Sequence, residues 1–136
     1  MSSSKVQLRW SGEALRFVGG AEGGPSISLE SGGAAAPSPT QLLLLSLAGC
    51  MGVDVLDILN KSRVTVEDLE VEVSGERAEM PPRYFRSIDL VYRVKGPQDG
   101  DLAKLERAVQ LSRDKYCSVL HTLRSDLNVG VRIERA

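Results

Sequence analysis

Ser38-Pro39-Thr40-Gln41-Leu42-Leu43-Leu44-Leu45-Ser46-Leu47-Ala48-Gly49-Cys50-Met51-Gly52-Val53-Asp54-Val55 is the stretch that organises the chain. A hydroxyl at the first position, proline at the next and Gln41 three residues after Ser38 form a capping box. Ser38 can receive the N–H of Gln41 while the Gln41 amide reaches back to Ser38. A helix therefore starts here. Its apolar residues, continuing through Leu56, Ile58 and Leu59, cover nearly every direction round the axis, so the helix is expected to be surrounded by protein or to lie in a dimer interface. Lys61 and Arg63 suit its negative end. Ser46, Gly49, Gly52, Asp54 and Asp57 interrupt the greasy run, which favours a buried helix over a membrane span.

Upstream, Lys5 to Trp10 alternates, with Val6, Leu8 and Trp10 on one side, and reads as a half-buried strand. Leu15 to Val18 and Ser26 to Leu29 extend it into an antiparallel meander, with Gly19 to Gly24 as a flexible turn. Downstream, Val64 to Ser74 and Tyr84 to Lys95 are a strand pair, followed by a helix capped by Asp101 that presents Leu102, Leu105, Ala108, Val109 and Ser112 on one face. A short helix over 117–127 and a closing strand through Val129, Val131 and Ile133 complete the order. Strands and helices do not alternate as βαβα, so the fold class is α+β, and residues 1–136 read as a single domain.

Composition narrows the function. Seventeen Lys+Arg against eighteen Asp+Glu leave no cation excess for nucleic acid or an anionic membrane, and neither is expected as a partner. No secretory signal follows the Met-Ser-Ser-Ser-Lys start, so the expected location is cytoplasmic. In that reducing compartment two cysteines are either inert core thiols or a working redox couple.

Cys50 lies mid-helix between Gly49 and Gly52, which either admit another element or a substrate close to the sulfur or simply allow tight packing. Cys117 falls at a helix start, where free N–H groups and the dipole favour a thiolate, with His121 one turn on as a conceivable partner. A metal site of Cys50, Cys117, His121 and a carboxylate lacks any closely spaced ligand pair, so no metal and no cofactor is expected. Phosphate-loop, nucleophile-elbow and H-E-x-x-H patterns are absent.

Pro39-Thr40-Gln41-Leu42-Leu43, Ala48-Gly49-Cys50, Val53-Asp54-Val55 and Lys115-Tyr116-Cys117-Ser118-Val119 together resemble the two cysteine segments of the OsmC/Ohr superfamily, osmotically inducible protein C and organic hydroperoxide resistance protein. The resemblance covers essentially the whole chain and is closest to the YhfA-like branch. It implies an intertwined α+β homodimer with antiparallel sheets around long central cysteine-bearing helices. It also implies a thiol peroxidase of oxidative-stress defence: Cys50 attacks the O–O bond of an organic hydroperoxide or hydrogen peroxide, Cys117 resolves the sulfenic acid as a disulfide, and an external dithiol, lipoyl in some relatives, reduces it. Trp10-Ser11-Gly12-Glu13-Ala14-Leu15-Arg16 resembles the spacing that precedes the family's thiolate-pairing arginine, which makes Arg16 the catalytic cation, with Arg9 a weaker stand-in. One departure stands out. Where characterised relatives carry a glutamate that orients the arginine, this chain has Thr40 and Gln41, and Gln41 falls on the opposite side of an ideal helix from Cys50. Asp54, if ionised, opposes a thiolate at Cys50. The alternative expectation is accordingly a non-catalytic protein of the same fold that holds a small hydrophobic ligand in a dimer-interface pocket.

Overall fold

A computed structural model describes residues 2–136. The element order is β1 (Val6–Trp10), β2 (Arg16–Ala21), β3 (Ser26–Glu30), α1 (Pro39–Lys61), β4 (Asp68–Arg77), β5 (Phe85–Lys95), α2 (Leu102–Leu111), α3 (Ser118–Thr122) and β6 (Asn128–Arg135). The class is α+β, as expected. The chain forms two compact units, one ending at Leu43 and the other running Leu44–Ala136.

The first unit is the predicted antiparallel meander β1-β2-β3, in register Trp10↔Phe17 and Arg16↔Glu30. Two expectations change. The glycine run is only partly a turn: β2 continues through Gly19 and Gly20, and the reversal follows, with Gly23 at φ 74° and the Gly24 N–H on the Ala21 carbonyl at 2.9 Å. A Cβ on Gly19 or Gly20 would strike the carbonyl of Gln7 or Pro25, so those two glycines serve close backbone approach. β1 is also not half-buried. All five of its residues are exposed, Trp10 at 57%, because among the described residues nothing covers the apolar side of the strand.

Helix α1 opens with both halves of the capping box made. The Gln41 N–H donates to Ser38 Oγ at 3.2 Å, and the Ser38 N–H donates to Gln41 Oε1 at 2.9 Å. At the far end Lys61 pairs with Asp57 at 2.9 Å, and Arg63 turns the chain out at φ 59°. Only one stripe of α1 is buried, Leu47, Met51, Val55 and Leu59, each four residues from the last. Leu45, Leu56 and Val53, the last 69% exposed, lie open, so of the two expected settings for an all-round apolar helix the structure does not give the one in which a single chain surrounds it.

The buried stripe joins the core of the second unit with Ile88, Leu90, Tyr92 and Val94 of β5 and Leu105, Ala108 and Val109 of α2. β5 keeps its predicted period of two. β4 starts later than the alternation suggested, at Asp68, because buried Val64 belongs to the helix exit, where its N–H bonds the Leu59 carbonyl at 2.9 Å. β4 and β5 are antiparallel, but β5 and β6 run parallel, in register Leu90↔Val131. That sheet is therefore mixed instead of antiparallel throughout, since the helical crossover through α2 and α3 returns the chain in the same direction.

α2 has Asp101 at its N-cap without a capping hydrogen bond; the carboxylate instead lies 3.7 Å from Lys104. The helix then widens into a π-turn over Ser112–Tyr116, and Cys117 begins the five-residue α3. The helix expected over 117–127 ends at Thr122, beyond which Arg124 forks onto Asp126 through two bonds of 2.9 and 2.8 Å.

Candidate active site

Cys50, Cys117, Asp54 and Ser112 all belong to the second unit. Cys50 and Asp54 are one turn apart on α1, which sets them on one face. The π-turn delivers the other sulfur. Its wider loop carries the Cys117 N–H back to the Ser112 carbonyl at 2.9 Å, and Cys117 caps α3 by accepting the Leu120 N–H on its sulfur at 3.4 Å. The Cys50 sulfur, the Cys117 sulfur and a carboxylate oxygen of Asp54 all lie within 4.8 Å of one another. Both cysteines are free thiols, Cys50 half-buried and Cys117 at 0% exposure. Asp54 Oδ2 in turn accepts the hydroxyl of Ser112 at 2.8 Å, and Ser112 is itself fully buried.

Electrostatics separates the helix-start expectation for Cys117 from its surroundings. Burial pushes this thiol up to about 11, and the Cys50 hydrogen bond and the charges at Cys50 and Asp54 add to it. The Leu120 N–H acts in the opposite direction and loses. A five-residue helix offers too little dipole to overcome desolvation, so Cys117 is held as a thiol and the expected thiolate there is not supported. Tyr92 is fully buried with an unpartnered hydroxyl, and burial together with the charges of Cys117, Asp54 and Cys50 raises its ionisation well above the phenol range.

His121 does not join the thiols. It is exposed, with Nε2 3.0 Å from the Arg113 carbonyl oxygen. Cys50, Asp54 and Cys117 are the donors among the described residues close enough together to hold a soft cation, so a metal reading would have to do without the histidine. Of the two glycines beside Cys50, Gly52 sits where a Cβ would come 3.4 Å from Val71 Cγ2, which is the helix–sheet packing reading, whereas Gly49 faces open space.

Arg16 belongs to the first unit. Its guanidinium lies 3.5 Å from Glu13 and 3.6 Å from Glu30, its cross-strand neighbour, and its Nε is buried without a hydrogen-bond partner. Glu30 also accepts the Ala35 N–H at 3.1 Å. The carboxylates paired with Arg16 thus come from the β1–β2 turn and from β3, while Gln41 is committed to the cap and Thr40 Oγ1 sits 3.4 Å from Ser38 Oγ. Glu30, Ser112 and Tyr92 were missed in the sequence. Ser112 had left one signal, a hydroxyl placed on the apolar face of an amphipathic helix.

A half-exposed thiol and a buried thiol sharing one carboxylate on an α+β scaffold define a dithiol protein. Its lineage is legible from comparison. The profile of the OsmC-like protein family matches residues 31–132, and the chain belongs to that family. It is 39% identical over 126 residues to protein YhfA of Escherichia coli K12, which covers 92% of each chain. Its fold is similar to that of a hypothetical protein from Aquifex aeolicus, at 32% identity, a TM-score of 0.87 and coverage of 100% and 98%. It is also similar to an organic hydroperoxide resistance protein from Legionella pneumophila, at 15% identity, a TM-score of 0.70 and 98% of each chain, a likeness of fold alone.

Proposed function

We propose that this protein is a cytoplasmic thiol peroxidase that reduces hydroperoxides with Cys50 and closes its cycle through Cys117. The observation that carries the reading is the meeting of two free sulfurs, one half-exposed and one buried, within 4.8 Å. Exposure suits Cys50 to the peroxidatic role, since an incoming peroxide can reach it. Burial and the upward-shifted pKa suit Cys117 to the resolving role, since it remains a protonated reserve that does not compete for substrate. In the first half-reaction the Cys50 thiolate attacks one peroxide oxygen, the O–O bond breaks, and the other oxygen leaves as alcohol or water after taking up a proton. Arg16, braced by Glu13 and Glu30, is the cation that this reading assigns to stabilising the thiolate. The reductant is an external dithiol of the lipoyl class, which returns both thiols by exchange.

A homodimer belongs to the same proposal. Val6, Leu8 and Trp10 of β1 and Val53 of α1 leave apolar surface exposed among the described residues of one chain.

The test is a thiol count on the reduced protein after one equivalent of tert-butyl hydroperoxide. Loss of both thiols with a disulfide joining them supports the reading, and Cys50→Ser should abolish thiol-dependent peroxide consumption while Arg16→Ala slows it by roughly tenfold, one pKa unit of thiolate stabilisation. Retention of both thiols overturns it and leaves the non-catalytic, ligand-holding protein as the surviving alternative.

A further inference from the structure

We propose that Asp54 is the proton carrier of disulfide closure, taking the proton from Cys117 and delivering it to the oxygen that leaves Cys50, with Ser112 as the residue that positions it. The inference rests on the peroxidase reading and deepens it. In the resolving step the Cys117 sulfur supplies the electron pair of the new S–S bond. The S–O bond of the Cys50 sulfenic acid breaks, and its pair leaves with the hydroxyl. The proton released from Cys117 converts that hydroxyl to water, so Cys50–SOH and Cys117–SH become a disulfide and one H₂O with no further oxidant.

The obstacle is the proton. Cys117 is fully buried, so bulk water does not reach its sulfur, and it holds its proton well above the ordinary thiol range. An acceptor must therefore sit beside it, and the same group must reach the oxygen carried by Cys50. The Asp54 carboxylate lies within 4.8 Å of both sulfurs, the requirement for a carrier between them. The 2.8 Å bond from the buried Ser112 hydroxyl to Oδ2 fixes the carboxylate's orientation from the π-turn that also places Cys117. The titratable groups facing Asp54 are Cys50 on its own helix, Cys117 after that turn and Tyr92 on β5, and the unpartnered Tyr92 hydroxyl stays protonated, so it does not compete as acceptor.

Reduced wild type, Asp54→Asn, Asp54→Glu and Ser112→Ala are each mixed with tert-butyl hydroperoxide, sulfenic acid being trapped with dimedone and disulfide followed by thiol loss across pH. We expect Asp54→Asn to accumulate trappable sulfenic acid at Cys50 and to close on the order of a hundredfold more slowly, with closure regained as pH rises and Cys117 ionises unaided. Asp54→Glu should recover part of the rate, and Ser112→Ala should lose several-fold. Closure at the wild-type rate in Asp54→Asn, or in Ser112→Ala where the asparagine variant does not fold, overturns the assignment and leaves the peroxidase reading standing. A wild type that forms neither sulfenic acid nor disulfide overturns both.

Discussion

The two units of this chain keep their apolar side chains in opposite ways. In the second, one stripe of α1 closes against β5 and α2, and side chains such as Leu47, Leu90 and Leu105 are fully buried. In the first, β1 is exposed along its whole length, and among the described residues none of the buried core side chains comes from it. The second unit thus carries the hydrophobic term of its own stability, while the first is held chiefly by ladder hydrogen bonds and by glycines that let its strands approach. The two thiols sit on the half that is already packed, where a half-buried carboxylate and a buried hydroxyl can be held in one geometry.

The largest effect that tests this contrast is a pair of truncations. Leu47→Ala should cost about 2–5 kcal/mol in urea denaturation, as a cavity in a closed core does. Leu8→Ala should cost under about 0.5 kcal/mol in a dilute single chain, where the side chain is already wet. Equal losses would break the comparison. A Leu8→Ala cost that grows with protein concentration would sharpen it, because it would show a second copy lying on β1.

Next in size is a contrast inside the packed unit, between its two thiols. Under native conditions a maleimide should label Cys50 at least about tenfold faster than Cys117, which is closed to solvent and held as a thiol. Mass spectrometry after brief labelling reads the ratio. The same burial has a signature in stability. When the protein unfolds, Cys117 returns to its ordinary value of 9.0, while folded it titrates near 11. Between these values the unfolded chain has given up a proton that the native chain retains, so raising the pH through this window favours unfolding. Below pH 9 the group contributes no slope. Thermal melts should show wild type losing stability relative to Cys117→Ala from pH 9 to pH 11 and levelling off above it. A flat difference would mean that the sulfur is less desolvated than its position in the core implies.

What was legible in advance follows from how local each feature is. The α1 start was readable because a capping box involves four consecutive residues, and β5 was readable because its burial alternates within one strand. Other features depend on contacts distant in sequence. The parallel pairing of β6 is decided by the crossover and not by the composition of Val129, Val131 and Ile133. Glu30 becomes the brace of Arg16 only through the β2–β3 register, and a slip of one residue would carry its side chain to the other face of the sheet. Both cysteines were visible as candidates, but the protonated state of Cys117 was not, since depth of burial is a property of the assembled core and it reversed the helix-start argument.

The smallest effect concerns the cap, which lies at the end of the first unit while the stripe that α1 buries lies in the second. Ser38→Ala removes the acceptor for the Gln41 N–H and leaves that donor to water, a loss of about 1 kcal/mol if the first turn of α1 is cooperative with the core. Gln41→Ala removes the reciprocal bond to the Ser38 N–H, and the double variant should cost less than the sum of the singles, because either change alone already loosens the box. Global denaturation and amide exchange then separate two outcomes. If the exposed unit is energetically tied to the packed one, Ser38→Ala lowers the global unfolding free energy by that amount. If it frays by itself, exchange quickens over residues 39–43 while the global transition stays where it was. We expect the first result, since the helix that begins at this cap is the same helix that carries Cys50 and Asp54 into the core of the second unit.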